Sequence, residues 1–233
     1  MENGIELLLV DKPKGITSFD VIRRLRSVYK EKTGEIKAPK MGHSGTLDPL
    51  ASGLMVLGVG SGTKKLAELI KLDKEYIAEV LVGESRTTGD MEGEVVESRE
   101  VPEALEILRS KISSALDSMK GDLVLPVSAY SAIKVDGVPM YKRARKAERQ
   151  GSVIEEVPVR TMKVYESEIL DCFEKEGKKI FKIKFSVSSG TYIRSLAEEL
   201  GKRIGYPATL YNLRRTKVGS FSIEDAKTID EAF

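Results

Sequence analysis

One segment, residues 42–54, limits most strongly what this chain can fold into. It reads GHSGTLDPLASGL and holds the single histidine of the 233-residue chain. Its glycines allow another molecule or chain segment to come close, and the proline after Asp48 disfavours a helical conformation for that residue. The pattern predicts a loop that presents the Asp48 carboxylate, followed by an apolar strand over residues 54–59. In isolation, an Asp-Pro pair near a histidine would indicate only a surface turn.

The rest of the chain mixes strand and helix patterns without a strict strand–helix–strand rhythm, which predicts an α+β fold with a mixed sheet. Apolar runs predict strands at residues 5–10, 54–59, 76–82, 93–97, 159–170 and 179–187. Helical spacing and end signals predict helices from a cap at Ser18 to Gly34, from Pro102 to Gly121, over 139–150 and 192–204, and from Ser222. Asp136 and Gly137 predict a tight turn.

The composition excludes several classes of protein. A length of 233 residues suits one large domain or a domain with a subdomain. No apolar run is long enough to span a membrane, and residues 1–4 lack the features of a signal peptide. Cys172 is the single cysteine, so an internal disulfide is excluded and a zinc site built from histidine and cysteine nearly so. We therefore expect a cytoplasmic protein without a metal.

Positive charge is concentrated in two segments, although the formal net charge is only +2. Residues 20–40 and 140–150 are rich in lysine and arginine, and the second segment includes Lys142, Arg143 and Arg145. Clustered cations suit contacts with phosphates, so both segments are candidates for nucleic-acid binding. The alternative is a solvated helix face, which charge alone favours.

Other motifs accompany the Asp48 loop. They are KPKGITS at residues 12–18, DKEYIAEVLVG around Tyr76, RTTGD at 86–90 followed by Gly93, YSAIK at 130–134 followed by Gly137 and Tyr141, GTYIRSL at 190–196, and LRRT at 213–216 followed by Gly219 and Phe221. Together they resemble the motifs of the tRNA pseudouridine-55 synthases, the TruB-type branch of the pseudouridine synthases. The resemblance runs from about residue 9 to residue 222 and so covers nearly the whole chain.

This resemblance implies a fold, a domain organisation and an activity. The implied fold is that of the pseudouridine synthases: a mixed, largely antiparallel sheet flanked by helices, with a central active-site cleft. One catalytic domain is expected over residues 1–233, with a basic RNA-binding insertion at roughly 121–151 and without the C-terminal PUA-type domain usual in the family. The implied reaction isomerises the T-loop uridine at position 55 of tRNA to pseudouridine. We expect a monomer that acts on the tRNA T-stem-loop, needs no cofactor and does not bind a membrane.

The resemblance also implies three catalytic residues. Asp48 is the expected essential carboxylate, either as a nucleophile at a sugar carbon or as an aid to base departure and proton transfer. Arg194 is expected beside Asp48, where its charge would favour the ionised carboxylate. Tyr76 is expected to line the base pocket, where its ring can stack on uracil and its hydroxyl can take part in proton movement.

Further residues are expected to bind the substrate. His43 is a candidate to fill the gap left by a flipped base, and Lys12 and Leu213 are expected to shape the pocket, with Lys12 near a phosphate or Asp48. Arg86 and Asp90 either contact the flipped nucleotide or hold their own loop, and both possibilities remain open. The cations that are expected to contact phosphates are Lys142, Arg143 and Arg145.

Two other functions fit the same sequence. The chain could be the catalytic subunit of an RNA-guided pseudouridylation particle, or an RNA-folding chaperone with reduced activity. The presence of Asp48, Tyr76 and Arg194 argues against a purely non-catalytic module.

Overall fold

The structure is a computed structural model, and it describes residues 6–131, 133–150, 152 and 157–233. Its strands are β1 (Leu7–Lys12), β2 (Met41–His43), β3 (Ser52–Val59), β4 (Lys74–Val82), β5 (Glu84–Arg86), β6 (Val95–Ser98), β7 (Gly121–Pro126), β8 (Lys134–Val135), β9 (Val138–Pro139), β10 (Val159–Lys175), β11 (Lys178–Val187), β12 (Ala208–Val218) and β13 (Phe221–Ser222). Its helices are α1 (Ser18–Thr33), α2 (Leu66–Leu69), α3 (Leu105–Ser118), α4 (Met140–Arg149) and α5 (Ile193–Ile204), with short 3-10 helices at Gly60–Lys65 and Ile223–Asp225.

Within the described residues, the largest sheet has nine strands, and its main path runs β1-β3-β12-β4-β11-β10-β7. Strand β2 also pairs with β3, and β13 pairs with β12. Strand β3 is antiparallel to β1 and β2 but parallel to β12, so the sheet is mixed. Two separate hairpins are formed by β5 with β6 and by β8 with β9. The predicted α+β class and mixed, mostly antiparallel sheet are confirmed.

The chain divides into two compact units. The first unit comprises Met1–Ile77, Lys184–Ser189 and Asn212–Phe233, and the second comprises Ala78–Ile183 and Gly190–Tyr211. Each unit has buried apolar side chains of its own. In the first they include Val10, Leu25, Leu54, Met55 and Leu57, and in the second Leu108, Ile112, Phe181, Ile183 and Leu196. In the part of the chain that the structure describes, no helix is long and apolar enough to cross a membrane.

Helix α1 begins one residue earlier than its sequence suggests. Thr17 is the N-cap: its hydroxyl accepts a hydrogen bond from the Asp20 amide, and the Asp20 carboxylate accepts one from the Thr17 amide. The prediction that Ser18 caps this helix is wrong, because the Ser18 hydroxyl is hydrogen-bonded to Leu47 instead. The predicted end at Gly34 is confirmed, and this residue adopts the left-handed conformation with φ of 71°.

Helix α3 begins at Leu105, so the predicted start at Pro102 is wrong. The preceding segment is held by one distant side chain, since the ammonium of Lys179 donates to the carbonyls of Val101 and Glu103. The helix ends at Ser118, before the predicted stop at Gly121. Helical spacing of apolar residues predicts its buried face, and Leu108, Ile112, Leu116 and Met119 are buried there, while Leu105 is half-buried.

Other predicted elements lie close to their expected places. The β8–β9 hairpin turns at Asp136 and Gly137, whose φ angles of 50° and 78° are those of a tight hairpin turn. Helices α4 and α5 start and end within one residue of prediction. Strand β1 ends two residues later than predicted, at Lys12, and its predicted first residue, Ile5, lies outside the described residues. The predicted RNA-binding insertion at roughly 121–151 includes α4, and its residues 132 and 151 also lie outside them.

Candidate active site

Asp48 lies in the first unit, on the loop between β2 and β3. Its carbonyl accepts a hydrogen bond of 3.0 Å from the amide of Ala51. Pro49 therefore stands at the second position of a tight turn, where its restricted φ is favourable. Leu47 and Leu50 on either side are buried, and Asp48 itself is half-buried. The carboxylate is thus carried by a short turn that is packed on both sides.

Ser18 holds the backbone immediately before Asp48. The Ser18 hydroxyl accepts a hydrogen bond of 2.8 Å from the amide of Leu47 and donates one of 3.0 Å to the carbonyl of Leu47. Ser18 is 2% exposed. One buried hydroxyl therefore satisfies both backbone groups of the residue that precedes Asp48.

Lys12 holds the backbone after Asp48. Its ammonium is fully buried and donates to the carbonyls of Ala51 at 2.5 Å and Pro13 at 3.0 Å, with the carbonyl of Pro49 at 3.5 Å. The amide of Gly15 donates to the same Pro49 carbonyl at 2.7 Å. Lys12 thus lies against the Asp48 loop.

Arg215 is a third buried side chain under this loop, and the sequence analysis did not single it out. Its Nε donates to the carbonyl of Leu54 at 2.8 Å, and its Nη2 donates to the carbonyl of Gly45 at 3.2 Å. Gly53 is required here, because its φ is 108° and a Cβ would lie 2.3 Å from the Arg215 carbonyl oxygen. The available signal was the pair of arginines in the LRRT motif on strand β12.

His43 ends strand β2 and is half-buried. Its Nδ1 accepts a hydrogen bond of 3.3 Å from the amide of Gly45. Burial, and secondly the charge of Arg215, lower the pKa of His43 below its ordinary value of 6.5. The imidazole is therefore neutral at neutral pH, so it presents a flat and uncharged ring.

Tyr76 and Leu213 also belong to the first unit, on β4 and β12 respectively. Each is 8% exposed. The carbonyl of Leu213 accepts a hydrogen bond of 3.5 Å from the Ser52 hydroxyl at the start of β3. Their expected places in a base pocket remain predictions.

Arg194 lies in the second unit, at the second residue of α5, and is 5% exposed. Its Nη1 donates to the Thr88 carbonyl at 2.8 Å and to the Ser128 hydroxyl at 3.1 Å, and its Nη2 donates to the Tyr130 carbonyl at 3.2 Å. The same Nη1 lies 3.7 Å from the Asp90 carboxylate. One guanidinium thus holds two chain segments, and its expected place beside Asp48 remains a prediction.

The loop from Arg86 to Asp90 is held by its own side chains. The Arg86 guanidinium pairs with Glu84 at 2.5 Å and donates to the Gly93 carbonyl at 2.9 Å. The Asp90 carboxylate is 2% exposed and accepts from the Thr88 hydroxyl at 2.5 Å and from the Glu92 amide at 3.1 Å. Of the two roles left open for Arg86 and Asp90, these contacts support the loop-holding one.

Glu198 on α5 is a carboxylate that the sequence analysis did not select. A Cβ on Gly89 would lie 2.7 Å from its Oε1, so the Asp90 loop passes closely over this group. Burial raises the pKa of Glu198 above 4.5, the nearby charges of Lys202 and Arg194 oppose this shift, and Asp90 adds to it.

Three cations on α4 were expected to contact phosphates, and they differ in their surroundings. Lys142 and Arg145 are exposed, and the Arg145 guanidinium lies 5.8 Å from the centre of the Tyr141 ring. Arg143 is half-buried and donates to the Val135 carbonyl at 2.5 Å and to Asp136 at 2.9 Å. Arg143 therefore ties α4 to the β8–β9 hairpin.

Known structures with this architecture identify the class of fold. A chain of an H/ACA RNP bound to a substrate RNA containing 2'-deoxyuridine matches with a TM-score of 0.65 and 25% identity, over 96% of this chain and 51% of that chain. A chain of a Cbf5-Nop10-Gar1 complex matches with the same TM-score and identity, over 96% of this chain and 52% of that chain. This protein therefore spans about half the length of those solved chains. Its fold is that of the pseudouridine synthases, as predicted.

Sequence comparison narrows the class to one family. Residues 30–193 match the model described as TruB family pseudouridylate synthase (N terminal domain). The tRNA pseudouridine synthase B of Corynebacterium diphtheriae is 39% identical over 97% of this chain and 71% of its own length. The tRNA pseudouridine synthase B of Streptomyces coelicolor is 38% identical over 97% of this chain and 71% of its own length. The chain belongs to the TruB family of pseudouridylate synthases, which confirms the predicted family and enzyme class.

Proposed function

We propose that this chain isomerises uridine to pseudouridine in tRNA, at the T-loop uridine at position 55. The observation that carries the proposal is Asp48 on its packed turn, held by Ser18, Lys12 and Arg215 in a chain of the TruB family. The relatives that are 38–39% identical over nearly the whole of this chain are named tRNA pseudouridine synthase B, which supports tRNA as the substrate. The enzyme acts as a monomer in the cytoplasm.

The proposed reaction exchanges one bond for another on the same nucleotide. The bond between N1 of uracil and C1′ of the ribose breaks, the base turns, and C5 bonds to C1′. C5 loses its proton and N1 gains one, so nothing is oxidised and no group is lost. The uridine must first leave its stack in the RNA, and the free base must be held until the new bond forms.

The chain's own residues divide these tasks. The Asp48 carboxylate attacks the ribose or assists departure of the base and transfer of the C5 proton. Tyr76 lines the base pocket, and Leu213 and Lys12 shape it. Neutral His43 stacks where the flipped base was, a place that suits an uncharged ring.

The remaining site residues have supporting roles. Arg194 acts together with Asp48, and its contacts with Thr88 and Asp90 order the loop that carries Asp90. Arg86 holds the same loop through Glu84. Lys142 and Arg145 contact phosphates of the T-stem-loop, and Arg143 positions the helix that carries them.

The test is single-turnover release of tritium from a T-stem-loop RNA labelled at C5, with no guide RNA and with a metal chelator present. We expect the parent chain to release tritium and Asp48→Asn to lose at least about a thousandfold in rate, because the amide lacks the negative charge and the nucleophilic oxygen. Binding of RNA by Asp48→Asn should match the parent.

Asp117→Asn is the matched control, since Asp117 is exposed and lies on α3. It should keep the parent's rate. Turnover by Asp48→Asn within tenfold of the parent would contradict the catalytic assignment. Activity that appears only with a guide RNA and partner proteins would favour the RNA-guided particle, and binding without any turnover would favour the chaperone.

A further inference from the structure

The solvent side of α1 carries cations in line with an exposed aromatic ring. The helix buries the opposite face, which contains Val21 and Leu25. Four residues that we call the α1 stripe follow one another at spacings of three or four positions: Phe19, Arg23, Arg26 and Lys30. Such spacing places them within about 60° of one another around the helix axis and along about 16 Å of its length.

One member of the α1 stripe, Phe19, has an exposure that is unusual for its residue type. Phe19 is 66% exposed, although removing a phenylalanine ring from water is favourable. Arg23 pairs with Asp20 at 2.9 Å, but its side chain is 69% exposed, and exposed pairs of this kind are weak. Lys30 is exposed and Arg26 is half-buried, and neither has an ion pair in the described part of the chain. The α1 stripe is therefore available to an anionic partner.

The α1 stripe begins next to the Asp48 loop. Phe19 follows Ser18, whose hydroxyl holds Leu47, the residue before Asp48. All of these residues belong to the first unit. The aromatic end therefore adjoins the loop that carries Asp48, and the cations lie progressively farther along the helix.

We propose that the α1 stripe binds the RNA substrate, with Phe19 stacking on an unpaired base and Arg23, Arg26 and Lys30 contacting phosphates of the adjoining strand. Cations in line with an exposed aromatic ring suit RNA, because unpaired bases stack on aromatic rings and phosphates bind cations. An acidic protein would use the cations but would give no role to a bare ring at the Asp48 loop. The proposal rests on the proposed function, which supplies RNA as the substrate.

The test measures the affinity of a T-stem-loop RNA over a range of salt concentrations, in an Asp48→Asn background that prevents turnover. The variant Arg26→Ala with Lys30→Ala should weaken binding about tenfold at low salt. It should also reduce, by about 1.4–1.8, the steepness with which the logarithm of the association constant falls against the logarithm of salt concentration. Each phosphate contact contributes roughly 0.7–0.9 to that slope. The matched control is Lys64→Ala with Lys71→Ala, which removes the same charge from exposed positions in the same unit and should leave the slope unchanged.

Phe19→Ser tests stacking separately from charge. It should weaken RNA binding about fivefold or more and leave the salt slope unchanged.

An unchanged affinity and slope in the α1 variants, or an equal change in the control, would overturn the proposal and leave a solvated face. Unchanged RNA binding with lost binding of polyglutamate would overturn it in favour of an acidic protein partner. If the parent turns over RNA while the α1 variants bind it normally, only this inference fails; if the parent neither binds nor converts RNA, the proposed function fails with it.

Discussion

At the scale of single residues, buried polar side chains hold the Asp48 loop. Backbone amides and carbonyls that leave water need partners, and a short turn cannot supply all of them itself. Ser18 satisfies Leu47, Lys12 satisfies Ala51, and Arg215 satisfies Gly45. The position of the Asp48 backbone therefore depends on residues that come from β1, α1 and β12.

Ser18→Ala should lower turnover more than it lowers substrate affinity. The change leaves the amide and carbonyl of Leu47 without their hydroxyl partner, and an unsatisfied buried group costs about 1–3 kcal/mol. A turn displaced by even part of an ångström misplaces the reacting carboxylate, so kcat should fall about 10- to 100-fold with little change in KM. Steady-state kinetics and thermal unfolding check both effects.

Ser27→Ala on the same helix is the matched control, since Ser27 is exposed and bonds only weakly within α1. It should match the parent in kcat, KM and stability. Equal losses of kcat and of folded protein in Ser18→Ala would indicate a purely structural role for Ser18.

At the scale of elements, α4 combines two kinds of cation on one short helix. Met140 and Ala144 are buried and anchor it, while Lys142 and Arg145 face solvent. Arg143 instead contacts the β8–β9 hairpin through Val135 and Asp136. Cations that look alike in the sequence of α4 therefore have different physical roles in the structure.

Lys142→Ala with Arg145→Ala should reduce RNA affinity and flatten its salt slope by about 1.4–1.8, because two phosphate contacts are lost. The melting temperature should stay within error, since both side chains are exposed. Arg143→Ala should instead lower the melting temperature, because the Val135 carbonyl loses a charged donor. It should leave the salt slope of RNA binding nearly unchanged. Salt titrations and calorimetry separate the two. Identical behaviour of both variants would contradict the division of roles.

At the scale of the whole molecule, burial of Glu198 links global stability to pH. The pKa of this carboxyl is raised in the folded protein, first by burial. The folded state therefore binds the proton more tightly than the unfolded state does. This contribution to the free energy of unfolding is present below the unfolded pKa, near 4.5, and is lost as pH rises through the raised folded pKa.

Glu198→Gln should consequently raise the melting temperature at pH 7 and leave it nearly unchanged at about pH 3, where the parent carboxyl is already neutral. The adjacent Glu199 is the natural control, because it pairs with Arg203 at 2.8 Å, so Glu199→Gln should give no gain at pH 7. Thermal unfolding of the three proteins at both pH values makes the comparison. A lower melting temperature for Glu198→Gln at pH 7 would show that Arg194 and Lys202 outweigh the burial.

The elements that could be predicted from sequence share a local cause. Strand β11 covers the predicted strand at residues 179–187, where Phe181, Ile183, Phe185 and Val187 alternate along the chain and are fully buried. The β8–β9 turn was predicted from Asp136 and Gly137, which tolerate positive φ. The start of α1 rests on the local Thr17–Asp20 capping box, but Ser18, the expected cap, bonds the distant Leu47 instead. The segment before α3 is held by the distant Lys179, which no local pattern indicates.

The sequence by itself determined the family, the order of most strands and helices, and the Asp48 loop, because periodicity, glycine and proline act over a few neighbouring residues. Only the tertiary structure decided which polar side chains lie beneath that loop. Ser18 meets Leu47 across 29 positions, and Arg215 meets Leu54 across 161. Whether a serine caps a helix or an arginine is buried depends on which distant backbone groups need a partner, and no local pattern records that need.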